Sequence, residues 1–369
     1  MKVAIVCDWL TGIGGAERVV YELHKLYPKA PIYTSQYNPE AIDWFSEADV
    51  RTTWLQTLPT SLKKFLPVLR AWTFSRLDLS QYDLVISSSG AEAKGIKTGP
   101  KTLHISYVHS PTQYYWIRSK DYLDKPGFPK GFNWLARIGL KLLIGPMKRW
   151  DKQAAKRPDY IITNSNYSKE NIKRVYKRDA QVIFPPVEID RFKIKGTPPQ
   201  RHGLIVAGRQ TPYKRFDLAI EACNELKIPL IVIGDGPDHK RLEKLGGRRT
   251  TFLSNVNDHD LALHFQSSIA FIMPNADDFG IVAVEAMAAG TPVIAYSKGG
   301  SQDYMLPGKT GVLFDRQTSK SLARAIETVL NKSFNSDLIA QQATKFSDEE
   351  FRKNIKAFVS QAYADYSNK

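Results

Sequence analysis

Cysteine is almost missing from this chain of 369 residues, with Cys7 and Cys223 the only two. They lie far apart and match no paired ligand spacing, so neither a disulfide framework nor a zinc site is implied, and a reducing compartment fits. Long apolar stretches are missing too. No run of about 18 apolar residues, the length a membrane span needs, occurs anywhere. The opening MKVAIVCDWLTG turns polar too soon for a signal peptide. Acidic charge is in short supply, with 37 Asp and Glu against 52 Lys and Arg, a net charge of +15. That excess is uneven. Residues 1–185 carry 28 basic and 16 acidic side chains, net +12, and the segment from Ser119 to Arg157 carries ten and three, net +7. Such a surface seeks a polyanion, and charge alone does not choose between nucleic acid and anionic lipid.

What is present suits two folded domains. An apolar fraction of 43% is ordinary for a globular chain, and the length exceeds a single common core. The pattern comes in two similar halves. KVAIVCDW followed by LTGIGGAERVVYELHKL reads as strand, glycine-rich turn and helix, and GLIVAG followed by RQTPYKRFDLAIEACNEL repeats that order. Further strands are expected at LVISSS, LHISYVH, YIITNS and VIFPP, then at PLIVIGDG and TFLSNV. Near-continuous apolar strands between amphipathic helices predict parallel sheets covered on both faces. The expected fold class is therefore α/β with two Rossmann-like, doubly wound domains facing across a cleft. The expected boundaries are 1–185 for the first domain, 186–200 for a proline-rich linker, 201–345 for the second domain and 346–369 for a final helix crossing back to the first. Ligands of open parallel sheets sit beyond the carboxyl ends of the strands, which makes the loops there the place to search.

Four loops carry chemistry. In DDFGIVAVEAMAAGTPVIA, Asp277 and Asp278 stand ahead of an expected helix, after the strand IAFIMP, and Glu285 follows Asp277 by eight positions. The amides from Phe279 through Gly280 and Ile281 to Val282 open that helix, a setting that favours a phosphate. Local physics leaves open that Asp277 only caps the helix and that Glu285 is a solvated helix residue. In GRQTPYKR, after a strand end, Gly208 precedes Arg209 and Lys214, two cations spaced to clasp a diphosphate or to form a solvated basic loop. GIGGAER lacks the dinucleotide spacing, yet Gly14 and Gly15 before a helix permit close approach to a phosphate or simply a tight turn. YVHSP leaves His109 at the end of an apolar strand, where it faces a ligand or fills a structural place. In FNWLARIGLKLLIGPMKRW, Leu135, Ile138 and Leu142 share one helical face, while Arg137 and Lys141 share another. Trp134 and Trp150 flank the stretch, and Lys148 and Arg149 add charge. That pattern fits a helix lying in a membrane interface, or a packed helix with a basic outer side.

Together these segments resemble a known family. GGAERVV, YVHSP, RWDKQAAKRPDYIITNSNYSKENI, PPVEIDRF, GRQTPYKRFDLAIEA, GDGPD, FGIVAVEAMAAGTPVIA and GVLFD arrive in the order seen in retaining glycosyltransferases of family four, which have the GT-B fold. Within that family the chain looks most like bacterial mannosyltransferases of the O-antigen type. The resemblance implies that Glu285 holds the ribose of a nucleotide sugar and that Asp277 binds sugar hydroxyls. It implies that Arg209 and Lys214 neutralise the diphosphate with the Phe279–Ile281 amides, that Gly14 and Gly15 close on it, and that His109 lies near the anomeric carbon. Asp277 departs from the glutamate usual there, which bears on sugar choice and on whether Asp277 or Asp278 makes the contact. SNVNDHDL departs from a glycine-containing turn.

The resemblance also implies a mechanism without cofactor or bound metal, and no Asp-x-Asp pair follows an expected strand. The expected activity is transfer of mannose from GDP-mannose to a lipid-linked glycan or glycolipid at the cytoplasmic, inner face of the plasma membrane, with peripheral attachment through Arg137, Lys141, Lys148 and Arg149. A UDP-hexose donor or a soluble acceptor is the alternative. An epimerase of the same fold and a basic nucleic-acid-binding protein are more remote, and no nucleic-acid motif with interleaved aromatics is present.

Overall fold

A computed structural model describes residues 1–59, 66–117, 119, 133–193 and 199–368. The chain divides into two units, Met1–Phe184 with Phe351–Lys369, and Pro185–Glu350.

Among the described residues the first unit is built on seven strands, β1 (Val3–Cys7), β2 (Ile32–Thr34), β3 (Val50–Thr52), β4 (Leu84–Ser89), β5 (Leu103–Val108), β6 (Tyr160–Thr163) and β7 (Gln181–Val182). They form a parallel sheet in the order β3-β2-β1-β4-β5-β6-β7. The connecting helices include α1 (Gly15–Leu26), α2 (Pro67–Phe74), α3 (Asn133–Ala154) and α4 (Asn166–Tyr176). Every residue of β4 and β5 is buried, as a strand covered on both faces must be. Their polar members satisfy one another, with Ser87 Oγ 2.9 Å from His104 Nε2 and donating to Ser106 Oγ at 2.8 Å. The last helix, Asp348–Ser367, places Phe351, Ile355, Val359 and Ala362 at helical spacing into the core formed by Ile5, Leu23, Ile86 and Tyr107.

The second unit repeats the plan. Strands β8 (Leu204–Ala207), β9 (Leu230–Ile233), β10 (Thr250–Leu253), β11 (Ala270–Met273), β12 (Val293–Tyr296) and β13 (Gly311–Phe314) form a parallel sheet in the order β10-β9-β8-β11-β12-β13. Helices α5 (Phe216–Leu226), α6 (His239–Leu245), α7 (Asp258–Gln266) and α8 (Ile281–Ala288) lie among them. Leu204, Val206, Ala219, Leu230, Ile272 and Ile326 belong to its core. In both sheets the strand order reverses once, between β1 and β4 and between β8 and β11, and these reversals open the crevices where ligands of such sheets bind.

The expected linker is different in the structure. Val187, Ile189 and Phe192 are buried, Val187 bridges to Ser347, and Phe192 packs on Phe265 at 5.8 Å between ring centroids. Proline content suggested a spacer, but these apolar side chains bind residues 185–193 to the second unit; 194–198 lie outside the described residues. The second unit also runs past residue 345, because Phe346 packs on Phe279 and Tyr304 at 5.5 and 6.2 Å.

Candidate active site

In the second unit, two loops leave the sheet at the point where its strand order reverses. One follows β8 and the other follows β11, strands paired through Leu204 with Ala270 and Ile205 with Phe271. The β8 loop turns at Gly208, whose φ is 134°, then passes Arg209, which is exposed, to a short helical turn at Pro212–Lys214. Gln210 anchors it by donating to Gly234 O at 2.6 Å, while its Oε1 lies 2.7 Å from His239 Nδ1. The β11 loop runs through Pro274 to Gly280, the cap of α8. Gly280 has φ 96°, and a Cβ there would meet Met273 Sδ at 2.7 Å and Tyr304 Oη at 3.0 Å, so any side chain would displace the helix start. Phe279 holds the loop down against Tyr304 at 5.5 Å, and Gly300 N donates to Asp277 O at 2.9 Å.

These two loops bring Lys214 and Asp277 into direct contact. The Lys214 ammonium donates to Asp277 Oδ2, with 20% and 19% of the side chains exposed. The capping position of α8 is held by Gly280, without a side-chain hydrogen bond. Glu285, one turn into α8, is only 6% exposed, so the solvated-residue reading of it is overturned. Burying a carboxylate is costly, and this one lies on the helix that opens onto the loop.

Two polar groups escaped the sequence reading. Asn275 is 2% exposed, and its Nδ2 has no hydrogen-bond partner among the described residues; the same holds for the buried Thr211 Oγ1. Buried polar atoms are nearly always paired, so both stand out beside Asp277 and Lys214 in sequence. The available signal was their place, just past the carboxyl ends of β11 and β8.

In the first unit, Gly14 caps α1 in extended conformation and Gly15 begins it. His109 follows β5, shares a 2.9 Å hydrogen bond between Nε2 and Ser88 Oγ, and lies 5.2 Å from the Tyr107 ring. Burial pushes its pKa down to about 4, which keeps the ring neutral near pH 7. Asp8, also unforeseen, directly follows β1 and accepts from the amides of Gly90, Ala91 and Ala93 at 2.8, 2.9 and 2.7 Å, so it fixes the loop after β4 at that sheet's own reversal.

The basic segment is only partly described. Side chains of Trp134, Leu135, Arg137 and Ile138 lie outside the described residues. Lys141 and Arg149 are exposed, and Leu142 is 71% exposed. Lys148 sits 5.0 Å over the Trp116 ring. Trp150 was expected as an interfacial flank, but it packs on Gly95, where a Cβ would meet its ring at 2.7 Å.

The family model described as Glycosyltransferase Family 4 matches residues 13–191, and the one described as Glycosyl transferases group 1 matches residues 188–346. The D-inositol 3-phosphate glycosyltransferase of Mycobacterium sp. (strain KMS) is 25% identical over 245 residues, which are 59% of this chain and 56% of that protein. The chain thus spans about half the length of the curated relatives it matches. Among solved structures, the sucrose-phosphate synthase of Thermosynechococcus elongatus superposes with a TM-score of 0.74 at 17% identity, covering 99% of this chain and 100% of that one. Anabaena HepE in complex with UDP-glucose gives 0.69 at 18% identity, covering 98% and 100%. At these identities the likeness concerns the fold.

Proposed function

We propose that the chain is a glycosyltransferase of family 4, group 1 with the GT-B fold, a reading supported by the two family models over residues 13–191 and 188–346, and that it moves a hexose from a nucleoside-diphosphate sugar to an acceptor hydroxyl with retention of configuration. The observation that carries this reading is the meeting of Lys214 and Asp277 at the β8/β11 reversal, with the buried Glu285 on the adjoining helix. Glu285 takes the ribose hydroxyls, and Asp277 takes hydroxyls of the sugar. Arg209, Lys214 and the amides from Phe279 to Ile281 meet the diphosphate. Asn275 and Thr211 supply two further polar groups that a ligand satisfies.

The reaction follows from charge. The bond between the anomeric carbon and the phosphate oxygen breaks, its electron pair leaves with the nucleoside diphosphate, and cations placed there stabilise the developing charge. The acceptor oxygen forms the new bond on the same face, and its proton passes to the departing phosphate. No divalent cation is needed to carry the diphosphate, so turnover survives EDTA. For the first unit the reading keeps two proposed roles, each testable alone: the Gly14–Gly15 backbone approaches a phosphate, and the neutral His109 hydrogen-bonds a sugar hydroxyl.

Mannose from GDP-mannose is the donor we propose first. A UDP-hexose is the second reading, favoured by the likeness to HepE, whose structure holds UDP-glucose. The acceptor is proposed to be lipid-linked and reached from the inner face of the plasma membrane. No helix among the described residues is long and apolar enough to cross a membrane. Support for surface attachment comes from the basic segment and from α2, which packs with α3 on the turn Ala93–Gly95. The outer face of α2 shows Val68, Leu69 and Trp72, with Trp54 edge-on to Trp72 at 6.5 Å and Arg76 4.0 Å over its ring. Tryptophan and arginine around exposed aliphatics suit an anionic interface. Incubation with labelled GDP-mannose, UDP-glucose and a membrane extract, with and without EDTA, tests the reading; failure of every donor to label lipid or glycan sinks it.

A further inference from the structure

Lys214 and Asp277 each have a separate task in the reading above, yet in the structure they bind one another. Resting on that reading, we propose that Asp277 is the resting counter-ion of Lys214, occupying the ammonium until a diphosphate oxygen displaces it, and that this exchange releases the Asp277 carboxylate to the sugar. The pair is placed for exchange. One partner comes from the loop after β8 and the other from the loop after β11, and with a fifth of each side chain exposed, water reaches both. The Asp277 main chain stays fixed because Gly300 N donates to its carbonyl, and a Cβ on Gly299 would meet that carbonyl at 2.8 Å. Only side-chain torsions have to change, which is fast compared with turnover.

The chemistry sets the direction of exchange. A diphosphate brings more charge and more acceptor oxygens to the ammonium than one carboxylate, so it takes Lys214 while Asp277 turns to neutral hydroxyls. Donor affinity then includes the cost of breaking the resting pair. A nucleoside diphosphate without sugar bears that cost and gains nothing from the released carboxylate, whereas the intact donor recovers part of it through its hydroxyls. Asp277 thereby biases the site toward the sugar-bearing donor over the spent nucleotide.

Calorimetric titration with GDP and UDP tests the exchange in the parent, Asp277→Asn, Lys214→Met and the double variant, with thermal melts to verify folding. Asparagine keeps the shape and removes the charge. Asp277→Asn is expected to bind the nucleoside diphosphate about three- to fivefold more tightly, the scale of a partly exposed ion pair, and in the Lys214→Met background to change it less than twofold. Unchanged or weaker binding in folded Asp277→Asn overturns the proposal. An equal gain in the Lys214→Met background also overturns it, because the effect would then be loss of a nearby negative charge. Glu285→Gln separates the two levels. If it weakens the nucleotide while Asp277→Asn does not strengthen it, only the exchange fails; if the parent binds neither GDP nor UDP, the donor reading fails with it.

Discussion

Arg70 Nε donates to Glu92 Oε2 across 2.7 Å in a place where 2% of the Arg70 side chain and none of Glu92 are exposed. Tyr114 and Tyr115 also donate to Glu92, and the Arg70 guanidinium lies 4.9 Å from the Trp9 ring. The pair draws the charge of α2 inward beside the buried Ala71 and Phe74, while Leu69 and Trp72 face outward. Removing one partner leaves an uncompensated buried charge. Arg70→Met is therefore expected to cost about 3–5 kcal/mol of stability, and Arg70→Met with Glu92→Met less than the sum of the single changes. Urea unfolding of the three variants checks this; a loss below about 1 kcal/mol in Arg70→Met contradicts it.

Acid sensitivity follows from two histidines. Burial, with Arg157 and Arg178 nearby, pushes His104 down to about 3, and burial pushes His109 down to about 4. Unfolding returns both toward an ordinary value near 6.5, so the unfolded chain binds more protons in the window between. Stability is thus fully present above about pH 6.5 and is lost as pH falls toward 4, at about 1.4 kcal/mol per pH unit for each such histidine. Urea midpoints between pH 7.5 and 4.5 should fall with acid, and His104→Gln should flatten the slope. An unchanged slope in that variant would rule out His104 as a source.

Loss of either cation in the β8 loop should slow transfer without unfolding the chain. Lys214→Ala and Arg209→Ala are each expected to lower kcat/KM by the equivalent of about 3 kcal/mol, the scale of one preorganised donor to a developing anion. Arg209 is exposed and Lys214 partly so, and the melts should stay near the parent's. Near-normal turnover in a folded Lys214→Ala protein would remove it from the diphosphate.

Much of the fold is legible in the sequence, and what is not has physical causes. Runs such as VAIVC, LVISSS and AFIM read as buried strands because alternation is absent, and the glycines and prolines mark their ends. The eight-residue spacing put Asp277 and Glu285 on a loop and its helix. Pairing across 63 residues, as between Lys214 and Asp277, leaves no local periodicity to read. Val187, Ile189 and Phe192 were hidden by neighbouring prolines. Trp150 was misread because an amphipathic pattern shows that a face is apolar but not what covers it. A buried arginine such as Arg70 is invisible in composition, where it counts as surface charge.

Attachment to lipid has two separable contributions. Arg137→Gln, Lys141→Gln and Arg149→Gln together remove charge worth about 1 kcal/mol per residue near an anionic leaflet, and Leu69→Ser with Trp72→Ser removes apolar insertion. Sedimentation with anionic liposomes at low salt should fall in both variants. It should vanish when they are combined, while GDP and UDP binding is unaltered. A parent that ignores such liposomes, or a combined variant that sediments as well as the parent, leaves α2 and α3 as ordinary packed helices.

The most direct test of the central claim, that the second unit holds a nucleotide sugar through Glu285, is a thermal-shift titration of GDP-mannose, UDP-glucose and their free diphosphates against the parent and Glu285→Gln. A ligand at a hundredfold excess over its Kd stabilises the folded chain by about 2.7 kcal/mol, enough to move Tm clearly. At least one nucleotide sugar is expected to raise Tm in a saturable way, and Glu285→Gln to lose most of the shift for donor and free diphosphate alike. No shift with any of these ligands, or an undiminished shift in a folded Glu285→Gln protein, would contradict that claim.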